Sequence, residues 1–399
     1  MPLTYEFATF VLNYSIQSLK MNQRYCIFSS NACGRHLFAA VFLFFLATIA
    51  CAKEIHFVHV SDLHYGLFRN FRGEQHVPSY RVIQAMIDKI NALPHDTFPD
   101  DGGIGACKQI DYINFIVNTG DISSRMENGV QSAADSWAQY LDDWTRRLVL
   151  KDNEGKPVPV WLIPGNHDAS NAIGFHRPMS PTTDATVMTG IYNLMMHPSV
   201  PKTNTTFNYM SHRIRYSFTS DGIHYIFAGI WPDTDTRKWI AQDIDTLPGR
   251  TPVIIFAHDP PKGVTKHFTN PYGNHDIDTK YKFENLLADV AQESNTKQKA
   301  ESECRQLKSF IKDHPSIKAY FHGHTNYNEF YWWRDGVSPL LPVFRVDSPM
   351  KGEQSADDEH LLSFIFVTID TDKMKLTARE YLWNNDGKHW GTSTTISLK

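Results

Sequence analysis

Apolar runs along this chain end abruptly in Asp, Asn and His. VPVWLIP runs into Gly165-Asn166-His167-Asp168, IHFVHV into Ser61-Asp62-Leu63-His64, and YINFIVNT into Gly120-Asp121. VIIFA runs into His258-Asp259, and AYF into His322-Gly323-His324-Thr325-Asn326. Short apolar runs bounded by turn residues read as buried strands, and in an open α/β sheet ligands sit in the crevice beyond the carboxyl ends of the strands. The pattern therefore predicts several strand ends sending polar groups to one place.

Between these runs the period changes from strand to helix. Val82, Ile83, Met86, Ile87 and Ile90 predict a helix over 79–93, and Ala134, Trp137, Tyr140, Leu141, Trp144 and Leu148 predict another over 130–150. Residues 94–109, rich in Pro, Gly and Asp, read as a loop, and Asp152 to Gly155 turns the chain into the Gly-Asn-His-Asp strand, expected at the centre of its sheet. Residues 55–62, 112–118 and 253–257 are expected strands, and residues 213–230 a hairpin turning at Asp221-Gly222. Further helices are expected around 185–196, 237–247 and 281–313, and the tail LLSFIFVTID and KLTAREYLW alternate as a strand pair. Residues 169–212 follow the Gly-Asn-His-Asp stretch, where a substrate-covering insertion belongs. The economical architecture is α/β, one domain over 53–399 with two sheets packed face to face.

Composition narrows the class. The chain has 399 residues, 42% of them hydrophobic, enough for a sizeable core, and its net charge of −4 recruits neither nucleic acid nor an anionic membrane surface. Leu37 to Ala50 is apolar but shorter than the about 20 residues of a membrane span. Arg24 and Arg35 precede it and Ala50-Cys51-Ala52 follows, so residues 1–52 read as a secretory signal peptide, with Met21 an alternative start. The mature protein is then expected to be secreted or periplasmic, with no stable membrane insertion after cleavage. Cys26, Cys33 and Cys51 leave with the leader; Cys107 and Cys304 remain, either as one disulfide or as two separate thiols.

The strand-end residues carry the chemistry. Asp62 and His64 are two apart, so their side chains share a side if the strand persists that far. Gly120 permits a sharp turn from which Asp121 can reach inward and bridge two cations. Asn166 offers an amide oxygen, and His258 and His324 offer imidazoles. This mixed N/O set without thiolate suits zinc, manganese or iron better than structural zinc or calcium. Two divalent cations about 3.5–4 Å apart acidify a bridging water, bind phosphoryl oxygens and stabilise developing charge. His167 is placed to donate a proton or hydrogen bond to a leaving group, with Asp168 orienting it. Taken singly, Asp62 or Asn166 could cap helices, and His64 or His258 could be satisfied polar residues. Jointly those readings leave a crowd of ligand groups without a purpose.

In order and spacing, Asp62-x-His64, Gly120-Asp121, Gly165-Asn166-His167-Asp168, His258 and Gly323-His324-x-Asn326 resemble the five motifs of the calcineurin-like metallophosphoesterases, over about residues 55–326. The resemblance implies a four-layer fold, two mixed β-sheets packed as a sandwich and flanked by helices. It implies two divalent or trivalent metal ions, one held by Asp62, His64 and Asp121, the other by Asp121, Asn166, His258 and His324, with His167 as the catalytic histidine. Two positions depart from the family pattern. Asn326 stands where the family has a second histidine; its amide oxygen is a weaker, harder ligand that favours manganese or iron over zinc. Arg125 stands where the family often has Asp or Asn. The expected activity is hydrolysis of phosphate monoesters or diesters by a metal-bridging hydroxide, and the rival is a non-catalytic binding or scaffold protein on the same fold.

Other candidates are weaker. Gly273-Asn274-His275-Asp276 repeats the tetrapeptide but follows no apolar strand, and His322 would serve only in a shifted register. Arg213, Arg215 and His176-Arg177 are candidate phosphate contacts, and Tyr331, Trp332 and Trp333 are candidate stacking residues.

Overall fold

Val-, Ile- and Phe-rich runs with both faces covered build two six-stranded mixed sheets. The computed structural model describes residues 54–124, 131–169, 185–208, 211–263 and 296–399, all within one unit, Ala52–Lys399. The chain runs through β1 (Glu54–Val60), a small hairpin of β2 (Phe68–Phe71) and β3 (Glu74–Pro78), and helix α1 (Ser79–Ala92) to β4 (Phe115–Asn118). Helix α2 (Ala133–Asp142), continued by a π turn at Asp143–Arg147, leads to β5 (Val160–Leu162) and the one-turn α3 (Asn166–Ala169). Next come α4 (Thr186–Met196), the hairpin of β6 (Tyr216–Ser220) and β7 (Ile223–Phe227), α5 (Thr234–Ile244) and β8 (Val253–Phe256). Helix α6 (Thr296–Asp313) is followed by β9 (Ile317–His322), β10 (Glu329–Asp335), β11 (Ser338–Arg345), β12 (Ser363–Asp370), β13 (Lys375–Leu382) and β14 (Trp390–Ser397).

The first sheet has the order β14-β13-β12-β1-β4-β5 and the second β10-β11-β9-β8-β7-β6. In each, the parallel strands (β1, β4, β5; β7, β8, β9, β11) deliver their carboxyl ends to one edge. Alternation along the strands separates two layers of core. Tyr225, Phe227, Ile254 and Phe256 belong to the core shared with the first sheet, whereas Ile226 and Ile255 pack with Ile240 of α5 and Leu307 and Ile311 of α6. Helix α1 buries Val82, Ile83, Met86, Ile87 and Ile90, the residues whose spacing predicted it. The β6–β7 turn falls at Asp221 (φ 52°) and Gly222 (φ 80°), both left-handed, which matches the twist of a two-residue hairpin.

Several expectations change. The strand before Gly-Asn-His-Asp is three residues long and lies at the sheet edge, not at its centre. Pro159 and Pro164 bracket it, and proline cannot donate to a ladder. The first strand stops at Val60 rather than Asp62, and the second starts at Phe115 because the Asn114 side chain is bonded to the His56 amide (2.7 Å). β14, with Thr and Ser in place of an apolar run, carried no readable signal. Cys107 and Cys304 are free thiols, so no disulfide joins them. The leader, Arg125, His176-Arg177, the second Gly-Asn-His-Asp and the start of the 281–313 helix lie outside the described residues. No helix among the described residues is long and apolar enough to cross a membrane.

Phe57 is the keystone between the sheets. It stacks on Phe115 of the neighbouring strand at 4.9 Å and meets Phe256 (5.8 Å) and Phe321 (5.6 Å) of the facing sheet edge-on. Phe57→Ala is expected to cost about 3–5 kcal/mol in chemical denaturation, and Phe57→Leu clearly less, because the leucine refills much of the cavity.

Candidate metal centre

The predicted ligands converge, but not by continuing their strands. Asp62 (φ 55°), His64 (φ 47°), Asp121 (φ 52°), His324 (φ 67°) and Asn326 (φ 54°) all adopt left-handed backbone. That conformation costs roughly 1–2 kcal/mol per non-glycine residue, and tertiary hydrogen bonds hold it here. The Asp62 and His64 amides donate to the carbonyls of Gly120 and Asp121, each at 2.9 Å. Close approach of the loops requires glycine at Gly120, Gly165 and Gly323. A Cβ on Gly165 would stand 2.1 Å from Asp121 Oδ1, and one on Gly323 would stand 2.2 Å from Asp62 Oδ2.

Asp121 is the hub. Its Oδ2 lies 3.8 Å from His64 Nε2, 3.9 Å from His167 Nε2 and 3.4 Å from His258 Nε2, while its Oδ1 accepts from the His167 amide at 2.8 Å. Asn166 Oδ1 is 2.9 Å from His258 Nε2 and 3.0 Å from His324 Nδ1. Asp62 Oδ1 lies 3.8 Å from His64 Nε2, and Asp62 Oδ2 accepts from the His324 amide at 2.8 Å. Two ligand groups share Asp121: His64, Asp121 and His167, and Asp121, His258 and His324, with donor atoms within 4.8 Å of one another in each. The second contains three of the four residues expected around one ion, and Asn166 Oδ1 lies beside its two histidines. In the first, His167 stands beside His64 where Asp62 was expected, and the two rings meet edge to face at 4.7 Å.

Surrounding contacts orient these groups. His258 Nδ1 donates to the Thr119 carbonyl (2.8 Å), which leaves Nε2 aimed at Asn166 and Asp121. Asp168 holds the loop rather than the His167 ring: its Oδ1 accepts from the Ser123 amide (3.0 Å) and its Oδ2 from the Gly165 amide (2.9 Å). The Ser348 hydroxyl donates to the Asp62 carbonyl at 2.7 Å. His322 turns away from the centre to the Tyr331 hydroxyl (3.0 Å), which excludes the shifted register. Arg213 and Arg215 are engaged by Asp233 and Asp235 and serve the packing of α5.

The electrostatics call for positive charge. Burial pushes the Asp121 carboxyl up, but His258 and then His167 outweigh it and hold the group well below the usual carboxylate range. Burial lowers His258, but the charge and hydrogen bond of Asp121 together with the charges of Asp62 and Asp259 outweigh it and push the imidazole up to about 10. Burial, reinforced by Asp121, pushes Asp62 up to about 6 and Asp168 up to about 7. Burial and then the charge of Lys351 hold His64 and His167 well below the usual histidine range. A proton on His258 thus occupies the role a cation would take. The buried Oδ1 atoms of Asp62 and Asn326 have no hydrogen-bond partner, as expected of oxygens reserved for a metal. With imidazole, carboxylate and amide donors and no thiolate, the residues fit a divalent metal ion.

The roles of Thr119, Ser348 and Lys351 escaped the sequence reading. For Ser348 and Lys351 the one signal was LPVFRV ending in Asp347-Ser348, the same strand-then-polar grammar as the five motifs.

A cation entering this centre must displace the His258 proton. Adding manganese or zinc to the metal-free protein near about pH 8 is expected to release that proton into weak buffer, and affinity is expected to rise roughly tenfold per pH unit towards about 10. His258→Gln should lose this component of the release. An unchanged release would contradict the assignment.

A family model described as calcineurin-like phosphoesterase matches residues 55–348, which include every member of the centre. None of the curated proteins compared with the chain matches it. Among solved structures, the purple acid phosphatase PPD1 from yellow lupin (Lupinus luteus) seeds aligns with a TM-score of 0.45 at 12% identity, over 87% of this chain and 54% of its own. The calcineurin-like phosphoesterase YfkN from Bacillus subtilis aligns at 0.32 and 11%, over 86% and 91%. Vps29 from Entamoeba histolytica, complexed with zinc, aligns at 0.31 and 9%, over 86% and 100%. The chain spans about half the length of the lupin enzyme, and at such identities none of the three transfers an activity. The family match covers most of the chain and all of its centre, and the protein belongs to the calcineurin-like phosphoesterase family.

Proposed function

We propose that the protein is an exported hydrolase of phosphate esters that works with two bound metal ions. The observation that carries this reading is that one buried carboxylate, Asp121, is shared by two ligand groups. Asp62, His64 and Asn326 would complete one site with it, and Asn166, His258 and His324 the other. Bound cations supply an acidified water and positive charge for the phosphoryl oxygens. Export follows from the leader read in residues 1–52.

The chain's own residues do the remaining work. Asp121 spaces the two sites, the Thr119 carbonyl fixes the His258 tautomer, and Asp168 clamps the Gly-Asn-His-Asp turn to the loop after β4. His167 is tied to Asp121 through its amide, and burial and Lys351 keep its ring neutral. A neutral imidazole contributes a hydrogen bond to the leaving-group oxygen, which serves a monoester and a diester alike. The non-catalytic reading rests on Asn326, whose amide stands where the family has a second histidine.

His167→Gln separates these readings. Metal content and hydrolysis of an aryl phosphate monoester and an aryl phosphodiester are measured with added manganese, zinc or iron. The proposal expects metal content to hold while turnover falls by about 10²–10⁴. Loss of metal would make His167 a ligand, as the first geometric group allows, and absence of turnover in the unaltered protein with any metal would leave the scaffold reading.

A further inference from the structure

The loop that follows β11 is fastened to two candidate ligands of the same ion. The Ser348 hydroxyl donates to the Asp62 carbonyl (2.7 Å) and accepts from the amides of Met350 (3.2 Å) and Lys351 (2.9 Å). Farther on, the Glu353 amide donates to the Asn326 carbonyl at 2.6 Å. Asp62 and Asn326 are both left-handed (φ 55° and 54°), and such a backbone persists only where its surroundings hold it. What fixes this loop therefore also fixes the backbone from which two ligand oxygens reach inward.

The loop is gripped in turn from outside both large sheets. Arg69 lies on β2, in the separate two-stranded hairpin, and donates from Nη1 to the Pro349 carbonyl (2.7 Å) and from Nη2 to the Ser355 carbonyl (2.5 Å). One rigid fork thus holds both ends of the Pro349–Ser355 turn. Ser355 Oγ donates to Asp347 Oδ2 (2.8 Å), which closes the loop on itself, and at Gly352 a Cβ would sit 1.8 Å from Ser355 Oγ. Through Ser348 and Glu353 these contacts end on Asp62 and Asn326. The groups assigned to the other ion are held elsewhere, His258 by the Thr119 carbonyl and the turn at Asn166 by Asp168.

We propose that Arg69 is a positioning residue for one ion of the two: by gripping the loop at Pro349 and Ser355 it sets, through Ser348 and Glu353, the backbone of Asp62 and Asn326. The inference rests on the two-metal reading and deepens it, because it makes the two ions separable. The ion held by Asp62, His64 and Asn326 then depends on the β2–β3 hairpin, and the ion held by Asn166, His258 and His324 does not.

The test loads the unaltered protein, Arg69→Met and Arg69→Lys with manganese and follows metal content, the paramagnetic resonance of the bound ions, and melting temperature. In the unaltered protein about two ions per chain are expected, with the signal of a magnetically interacting pair bridged by Asp121. Arg69→Met is expected to weaken one ion by about 10–100-fold and leave the other nearly unchanged, so that at intermediate manganese the signal becomes that of an isolated ion. Arg69→Lys keeps the charge without the fork and should fall between the two; it serves as the deciding variant if Arg69→Met does not fold. An interacting pair held by the variants as tightly as by the unaltered protein would overturn the role of Arg69. Equal weakening of both ions would mark a general loosening of the fold and also overturn it. An unaltered protein that binds no second ion at any manganese concentration would remove the two-metal reading, and this inference with it.

Discussion

The charge on Asp121 is the constraint to which the centre answers. A carboxylate 2% exposed between two sheets costs several kcal/mol to desolvate and persists only if positive charge meets it. Three imidazole nitrogens lie 3.4–3.9 Å from its Oδ2, and in the metal-free chain a proton held on His258 answers the charge. Cations would answer it more fully and draw in the oxygens of Asp62, Asn166 and Asn326. Stability and metal binding meet at this atom, because the group that most needs a cation is also the one shared by both candidate ligand groups.

The two sheets make such a meeting possible. His64, Asp121 and Asn166 follow strands of the first sheet, His258 and His324 strands of the second, and the aromatic packing around Phe57 sets how the sheets face each other. The final convergence is local. Left-handed turns at Asp62, His64, Asp121, His324 and Asn326 aim the side chains inward, at a backbone cost that the sandwich supports. Gly165 and Gly323 let the loops close to within a hydrogen bond of one another.

Much of this was legible because the strands are short, apolar and sharply terminated. The identities of Asp62, His64, Asp121, Asn166, His258 and His324 could be read from that grammar, and the hairpin at Asp221-Gly222 from its turn residues. What could not be read depends on tertiary partners. Strand alternation suggested how Asp62 and His64 would share a side, yet carbonyls contributed by Gly120 and Asp121 bend the backbone there instead. β5, bracketed by prolines, lies at the sheet edge, whereas its hydrophobicity suggested the centre. Asp168 looked like an orienter of His167 because it is adjacent in sequence, but its oxygens meet the Ser123 and Gly165 amides.

The most direct test of the account is the metal stoichiometry of the unaltered protein and of Asp121→Asn, measured by elemental analysis after equilibration with manganese or zinc. A bridging carboxylate predicts about two ions per chain in the unaltered protein and loss of both at the same free metal concentration in the variant, since neither ligand group stays complete without it. Two ions retained by Asp121→Asn would show that the sites do not depend on a shared carboxylate, and would contradict the account at its centre.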